Sequence, residues 1–204
     1  MKRRVIYVIT DNRAGRQYFP FETHSDFTLF AHCCDVLPRL ARAEEWEAVF
    51  KVAASVDRAD DPYRLNPVLH WLRAQAFADR IIVSRRPFRD ELAHADAVVI
   101  DYPSTTLVEA ACYPATMLVY NDPAFMHLEH CAEASAALRQ AGYVGDTWPG
   151  FLQLLDDYLA GKLPDKPDKD PLRSLFGAHQ GGGETATAAA ARAIAGILAK
   201  GRSA

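Results

Sequence analysis

The chain has 204 residues, 50% of them hydrophobic and 24% charged, which suits one generous domain with a real core and excludes a disordered chain. Twenty-three basic residues against 26 acidic ones give a formal charge of -3, so the composition carries no general affinity for nucleic acid. No apolar run approaches the roughly 18 residues of a membrane span, and Val5 to Ile9 is too short for a signal peptide. A soluble, cytoplasmic protein is expected.

Five short apolar runs read as buried parallel strands because none shows strict alternation. They are Val5-Thr10, Val49-Ala54, Arg80-Ser84, Ala97-Asp101 and Thr116-Tyr120. Helical segments lie between them. Phe27 to Ala43 places Phe27, Phe30, Ala31, Cys34, Leu37 and Leu40 near one face. Pro67 to Phe77 follows Asn66 as N-cap, with proline at the first helical position. Phe88-Ala95 and Thr105-Cys112 complete the alternation, which predicts an α/β, Rossmann-like open parallel sheet of about five strands in the order 3-2-1-4-5.

Residues 133-204 read as a helical C-terminal extension of the same single domain, 1-204. Glu133-Ala141, Trp148-Ala160 and the alanine-rich Glu184-Lys200 are its helices, with no strand between them. Pro164 to Pro171 is a polar, proline-punctuated loop. Cys33, Cys34, Cys112 and Cys131 have no zinc spacing and read as buried thiols. His127 and His130 stand at i and i+3 but lack a third ligand, so neither a metal nor another cofactor is expected. Gly181-Gly182-Gly183 follows no strand and lacks the ending of a P-loop.

The densest chemical signal is Ala97-Val98-Val99-Ile100-Asp101-Tyr102-Pro103-Ser104-Thr105-Thr106-Leu107-Val108-Glu109-Ala110. A buried strand ends, the chain turns, and a helix opens on hydroxyls and free backbone N–H groups. That arrangement suits an anion, with phosphate the usual guest. Glu109 lies four residues after Thr105 and shares its helix face, where a carboxylate can accept bonds from a ribose diol. Plain helix capping accounts for Ser104 about as well.

This block, with Tyr113-Pro114-Ala115-Thr116-Met117-Leu118-Val119-Tyr120 after it, resembles the C-terminal, donor-binding domain of GT-B glycosyltransferases. The nearest group is the bacterial surface-carbohydrate and CDP-glycerol glycerophosphotransferase enzymes. The resemblance implies that Ser104, Thr105 and Thr106 hold a donor diphosphate while Glu109 faces its ribose. It implies a base site at the end of the third strand, read by backbone groups of Val83 and Ser84. Arg13 and Arg16, in the long Asp11-Ser25 loop, are suitable diphosphate partners or solvated surface residues. Lys51 ends the second strand where relatives carry Lys before His-Pro; Ala53-Ala54 replace that pair here, and an ordinary strand-end lysine is the competing reading.

The expected ligand is a UDP-, CDP- or GDP-linked donor, and the expected activity is glycosyl transfer in surface-polysaccharide or capsule biosynthesis. Polyol-phosphate transfer and a non-catalytic nucleotide-binding module that pairs with a transferase subunit are the alternatives. Because GT-B enzymes take their acceptor site and usual base from a second domain, no catalytic residue is assigned. A protein partner or an N-terminal acceptor domain is expected, with peripheral membrane association only through the full enzyme.

Overall fold

A computed structural model describes residues 2–9, 26–52, 67–101, 105–122 and 132–175. Six parallel strands form one open sheet: β1 (Arg3–Val8), β2 (Trp46–Lys51), β3 (Ile81–Ser84), β4 (Ala97–Ile100), β5 (Thr116–Tyr120) and β6 (Gly142–Gly145). Their order is β3-β2-β1-β4-β5-β6, so the expected 3-2-1-4-5 arrangement is present with one strand added. Register runs Val5 opposite Ala48 on one side and Ala97 on the other, and Val98 opposite Met117.

The helices are α1 (Asp26–Arg42), α2 (Pro67–Arg73), α3 (Phe88–Leu92), α4 (Thr105–Ala111), α5 (Ala132–Ala141), α6 (Trp148–Leu159) and α7 (Asp170–Leu175). A 3-10 turn, Ala78–Arg80, leads into β3. They cover both faces of the sheet, which is why β1, β4 and β5 carry apolar residues without alternation. On one face Tyr7, Phe50, Val99 and Leu118 pack with Leu37 and Leu40 of α1 and Phe151 and Leu155 of α6. On the other, Ile6, Val98, Ile100 and Met117 meet Leu92, Leu107, Ala110, Leu138 and Leu172.

The C-terminal part corrects the sequence reading in one respect. Residues 133-204 are not purely helical, because Gly142-Tyr143-Val144-Gly145 pairs with Met117–Tyr120 as β6. Two of its four residues are glycine, so it shows no apolar run, yet a side chain at either glycine would crowd its neighbours. A Cβ on Gly142 would lie 2.8 Å from the Met117 carbonyl oxygen, and one on Gly145 only 2.5 Å from Phe151 Cα. The strand exists because bare backbone fits between β5 and α6. The proline loop is also shorter than expected, ending at Lys169, with Pro171 opening α7.

Candidate functional site at the carboxyl edge of the sheet

All six strands point the same way, so their carboxyl ends share one edge, and the order reverses between β1 and β4. An open α/β sheet leaves a crevice at that reversal, where ligands of this fold class bind. Two of the strands carry expected site residues at that carboxyl edge: Lys51 closes β2 and Ser84 closes β3, while Asp101 directly follows β4. Thr105 and Thr106 open α4, and Glu109 stands one turn along it.

On α4 the apolar side chains Leu107, Ala110 and Ala111 are buried while Thr105, Val108 and Glu109 are exposed. The sequence therefore puts the Thr105 hydroxyl and the Glu109 carboxylate on one solvent-facing strip, as four-residue spacing requires. Lys51 is buried, and its ammonium donates to the Val52 carbonyl. A lysine cation held at a strand end can support an anion, although its stem here is core-packed.

Ser84 is committed internally. Its hydroxyl donates to Glu91 Oε1 at 2.5 Å, its oxygen receives the Arg86 N–H at 3.2 Å, and its carbonyl accepts the Val52 N–H at 3.0 Å. Glu91 is almost fully buried and also receives Arg4 Nη2 at 2.5 Å, so this serine closes a charge network under β3. Phe88 packs on the core from the start of α3. Arg13, Arg16 and Ser104 lie outside the described residues, as do His127, His130, Cys131, the glycine triplet and the alanine-rich tail. Among the described residues no cluster of three His, Cys, Asp or Glu side chains could hold a metal ion, and no helix is long and apolar enough to cross a membrane.

Sequence reading missed the most polar part of this edge. Asp101 is 1% exposed, and its Oδ2 accepts the Tyr7 hydroxyl at 2.8 Å across the β1–β4 seam. His32 of α1 is buried beside it, with Nδ1 3.5 Å from the same oxygen, and stacks on Trp148 at a centroid distance of 3.7 Å. Burial first, then the Asp101 charge, pushes the Tyr7 phenol and the Cys33 thiol well up. The available signal was a lone histidine among apolar α1 residues, Phe30-Ala31-His32-Cys33, at the level of the crevice.

The sheet has counterparts among solved structures. A crystal structure of the glycotransferase of kitacinnamycin superposes with a TM-score of 0.50 and 16% identity, covering 95% of this chain and 43% of that one. The sheet is folded like part of a glycosyltransferase. The glycosyltransferase SnogD from Streptomyces nogalater aligns with a TM-score of 0.40 and 13% identity, over 85% of this chain and 43% of its own. The chain thus spans less than half the length of either protein. No protein-family model and no curated protein sequence matches it. At 16% identity the likeness to the kitacinnamycin glycotransferase concerns architecture, and agrees with the GT-B-like fold the sequence implies.

Proposed function

We propose that this chain is the donor-binding domain of a glycosyltransferase and holds a nucleotide-diphosphate sugar at the carboxyl edge of its sheet. The observation that carries the proposal is the reversal of strand order between β1 and β4, with the Thr105–Glu109 strip rising beside it. Ser104, Thr105 and Thr106 would bind the diphosphate, with Lys51, Arg13 and Arg16 supplying positive charge, and Glu109 would accept the ribose hydroxyls. Val83 and Ser84 would border the base. Charge on the leaving diphosphate would then be met by fixed hydroxyls, N–H groups and cations.

The chain's coverage of 43% of the kitacinnamycin enzyme supports the further proposal that acceptor and base come from another domain or a protein partner. Surface-polysaccharide synthesis is the proposed setting, at the cytoplasmic face. Polyol-phosphate transfer from a CDP-linked donor would use the same residues, since it differs only in which donor bond breaks.

Calorimetric titration with UDP, CDP and GDP tests the reading. One nucleotide should bind, and Glu109→Ala and the Ser104→Ala/Thr105→Ala pair should each weaken it. Binding untouched by either change would place the ligand elsewhere, and no binding to the chain would leave a partner-pairing module as the better account.

A further inference from the structure

The seam between β1 and β4 contains a buried charge for which the donor site has no use. Asp101 has one ion-pair partner among the described residues, the His32 imidazole, 5% exposed and 3.5 Å away. Its other oxygen, Oδ1, is buried and accepts no hydrogen bond among the described residues. A carboxylate taken out of water needs a cation or a full set of donors, and among the described residues its one hydrogen-bond donor is the Tyr7 phenol.

The groups in this part of the fold come from five strands and helices. Asp101 follows β4, Tyr7 lies on β1, Tyr120 on β5, and Cys33 and Asp35 on α1 itself. The Trp148 ring of α6 covers one imidazole face and its Nε1 donates to Asp35 Oδ2 at 2.8 Å. Tyr7 and Cys33 are pushed well up by burial, and Tyr120 is pushed up to about 12 by burial and by Asp122. None of the three can take or give charge near neutral pH. An imidazole is the side-chain type whose charge can change there.

We propose that His32 couples anion binding in the β1–β4 crevice to proton uptake: when a nucleotide diphosphate is bound, His32 takes a proton from solvent and faces Asp101 as an imidazolium. The inference rests on the donor reading and adds its regulation. A polyanion brought up to the crevice makes the Asp101 charge more costly, and a proton on His32 offsets it. Linkage then requires the reverse effect, tighter nucleotide binding as pH falls. Tyr7 keeps its hydrogen bond to Asp101 throughout, and no covalent bond changes.

The test is calorimetric titration of the full chain with UDP, CDP and GDP in two buffers of different ionisation heat. At a pH of about 7.5 a terminal phosphate is already almost fully ionised and adds little of its own. The native chain should take up a fraction of a proton per nucleotide, and His32→Asn should take up none. Native affinity should fall several-fold from about pH 7 to about pH 8.5, while that of His32→Asn stays level. Asp101→Asn, which keeps an acceptor for Tyr7, should also lose the uptake and bind several-fold tighter at the upper pH. It decides the matter if His32→Asn does not fold. Nucleotide binding with no uptake, or with the same uptake in either variant, overturns this inference and leaves the donor reading standing. Failure of all three nucleotides to bind overturns both.

Discussion

The two edges of the sheet are built on opposite terms. At the amino edge, charged groups end on one another or on backbone carbonyls. Arg3 donates to Asp165 at 2.5 Å and to Tyr158 at 2.9 Å while its guanidinium lies 4.3 Å over the Trp46 ring. Lys166 donates to Arg139 and Gly142 carbonyls, and Lys169 to those of Ala141 and Lys166. These two lysines close the carboxyl end of α5, where the helix dipole favours cations. The loop from Gly161 to Lys169 is thereby strapped across the sheet. At the carboxyl edge, by contrast, Asp101 and Asn121 each leave a buried oxygen without a donor among the described residues. The amino edge pairs its charged groups for stability, whereas the carboxyl edge, beside committed groups such as Ser84, keeps two buried oxygens open among the described residues. A guanidinium nitrogen of Arg4, with no hydrogen-bond partner among the described residues, is the amino edge's own exception. Mutations at the two edges should therefore separate stability from binding.

The largest expected effect lies at the amino edge. Gly142→Ala drives a methyl to within 2.8 Å of the Met117 carbonyl, against backbone that cannot swing aside. It should destabilise the fold by about 3 kcal/mol, read as a lower urea midpoint at unchanged slope. Nucleotide affinity of the fraction that remains folded should not move. Glu109→Ala is the converse case. The carboxylate is exposed and outside the core, so the melting temperature should stay within about a degree or two while affinity for the preferred nucleotide falls about tenfold. A large loss of stability in Glu109→Ala would erase the contrast between the edges.

A smaller loss is expected for Arg3→Ala. Its pair with Asp165 is more than a third exposed on both sides, so solvent screens it and the pair alone contributes little. The guanidinium also stacks on Trp46 and holds Tyr158, which together place the cost at about 1 kcal/mol. The Arg3→Lys chain should recover only part of it, since an ammonium that reaches Tyr158 and Asp165 has no planar group to lie flat on the indole.

The difference between the edges also sets what the sequence could reveal. Five of the six strands were legible because they are unbroken apolar runs, and Thr105 with Glu109 because four-residue spacing fixes a helix face. β6 was not legible, since its signal is space for bare backbone between Met117 and Phe151, and that space belongs to the packing. The boundaries of β1 and β2 shifted towards the amino end: apolarity marks Val5 to Ile9, whereas pairing begins at Arg3 opposite Trp46. The Asp101–Tyr7–His32 group was hidden for a different reason. Its members are 94 and 69 positions apart in the chain, and only the crossover order brings them to one seam. Ser84 looked available at a strand end, and its use by Glu91 depends on a helix that starts four residues later.

The subtlest prediction concerns Lys169, a fully buried lysine at the amino edge. Burial lowers it from the ordinary 10.5 to about 8, with Asp168 opposing the shift and Lys166 and Arg173 adding to it. Between those two values the unfolded chain binds more protons than the folded one, so stability should rise with pH rather than fall. The neutral amine still has hydrogens for the Ala141 and Lys166 carbonyls, and so the strap survives deprotonation. From about pH 7.5 to about pH 9 the gain should be about 1 kcal/mol. Above that range Tyr158 works the other way, because burial and its bond to Asp165 raise the phenol, and its ionisation on unfolding removes stability as pH climbs past 10. Urea midpoints of the native chain should therefore climb through the lower window and turn over above it. Lys169→Met, which fills the same space without the charge, should be flat through the first window and keep the second. A native profile that falls steadily from about pH 7.5 would mean that the lysine is held by charge rather than by its hydrogen bonds, and the amino edge would then be an electrostatic clamp.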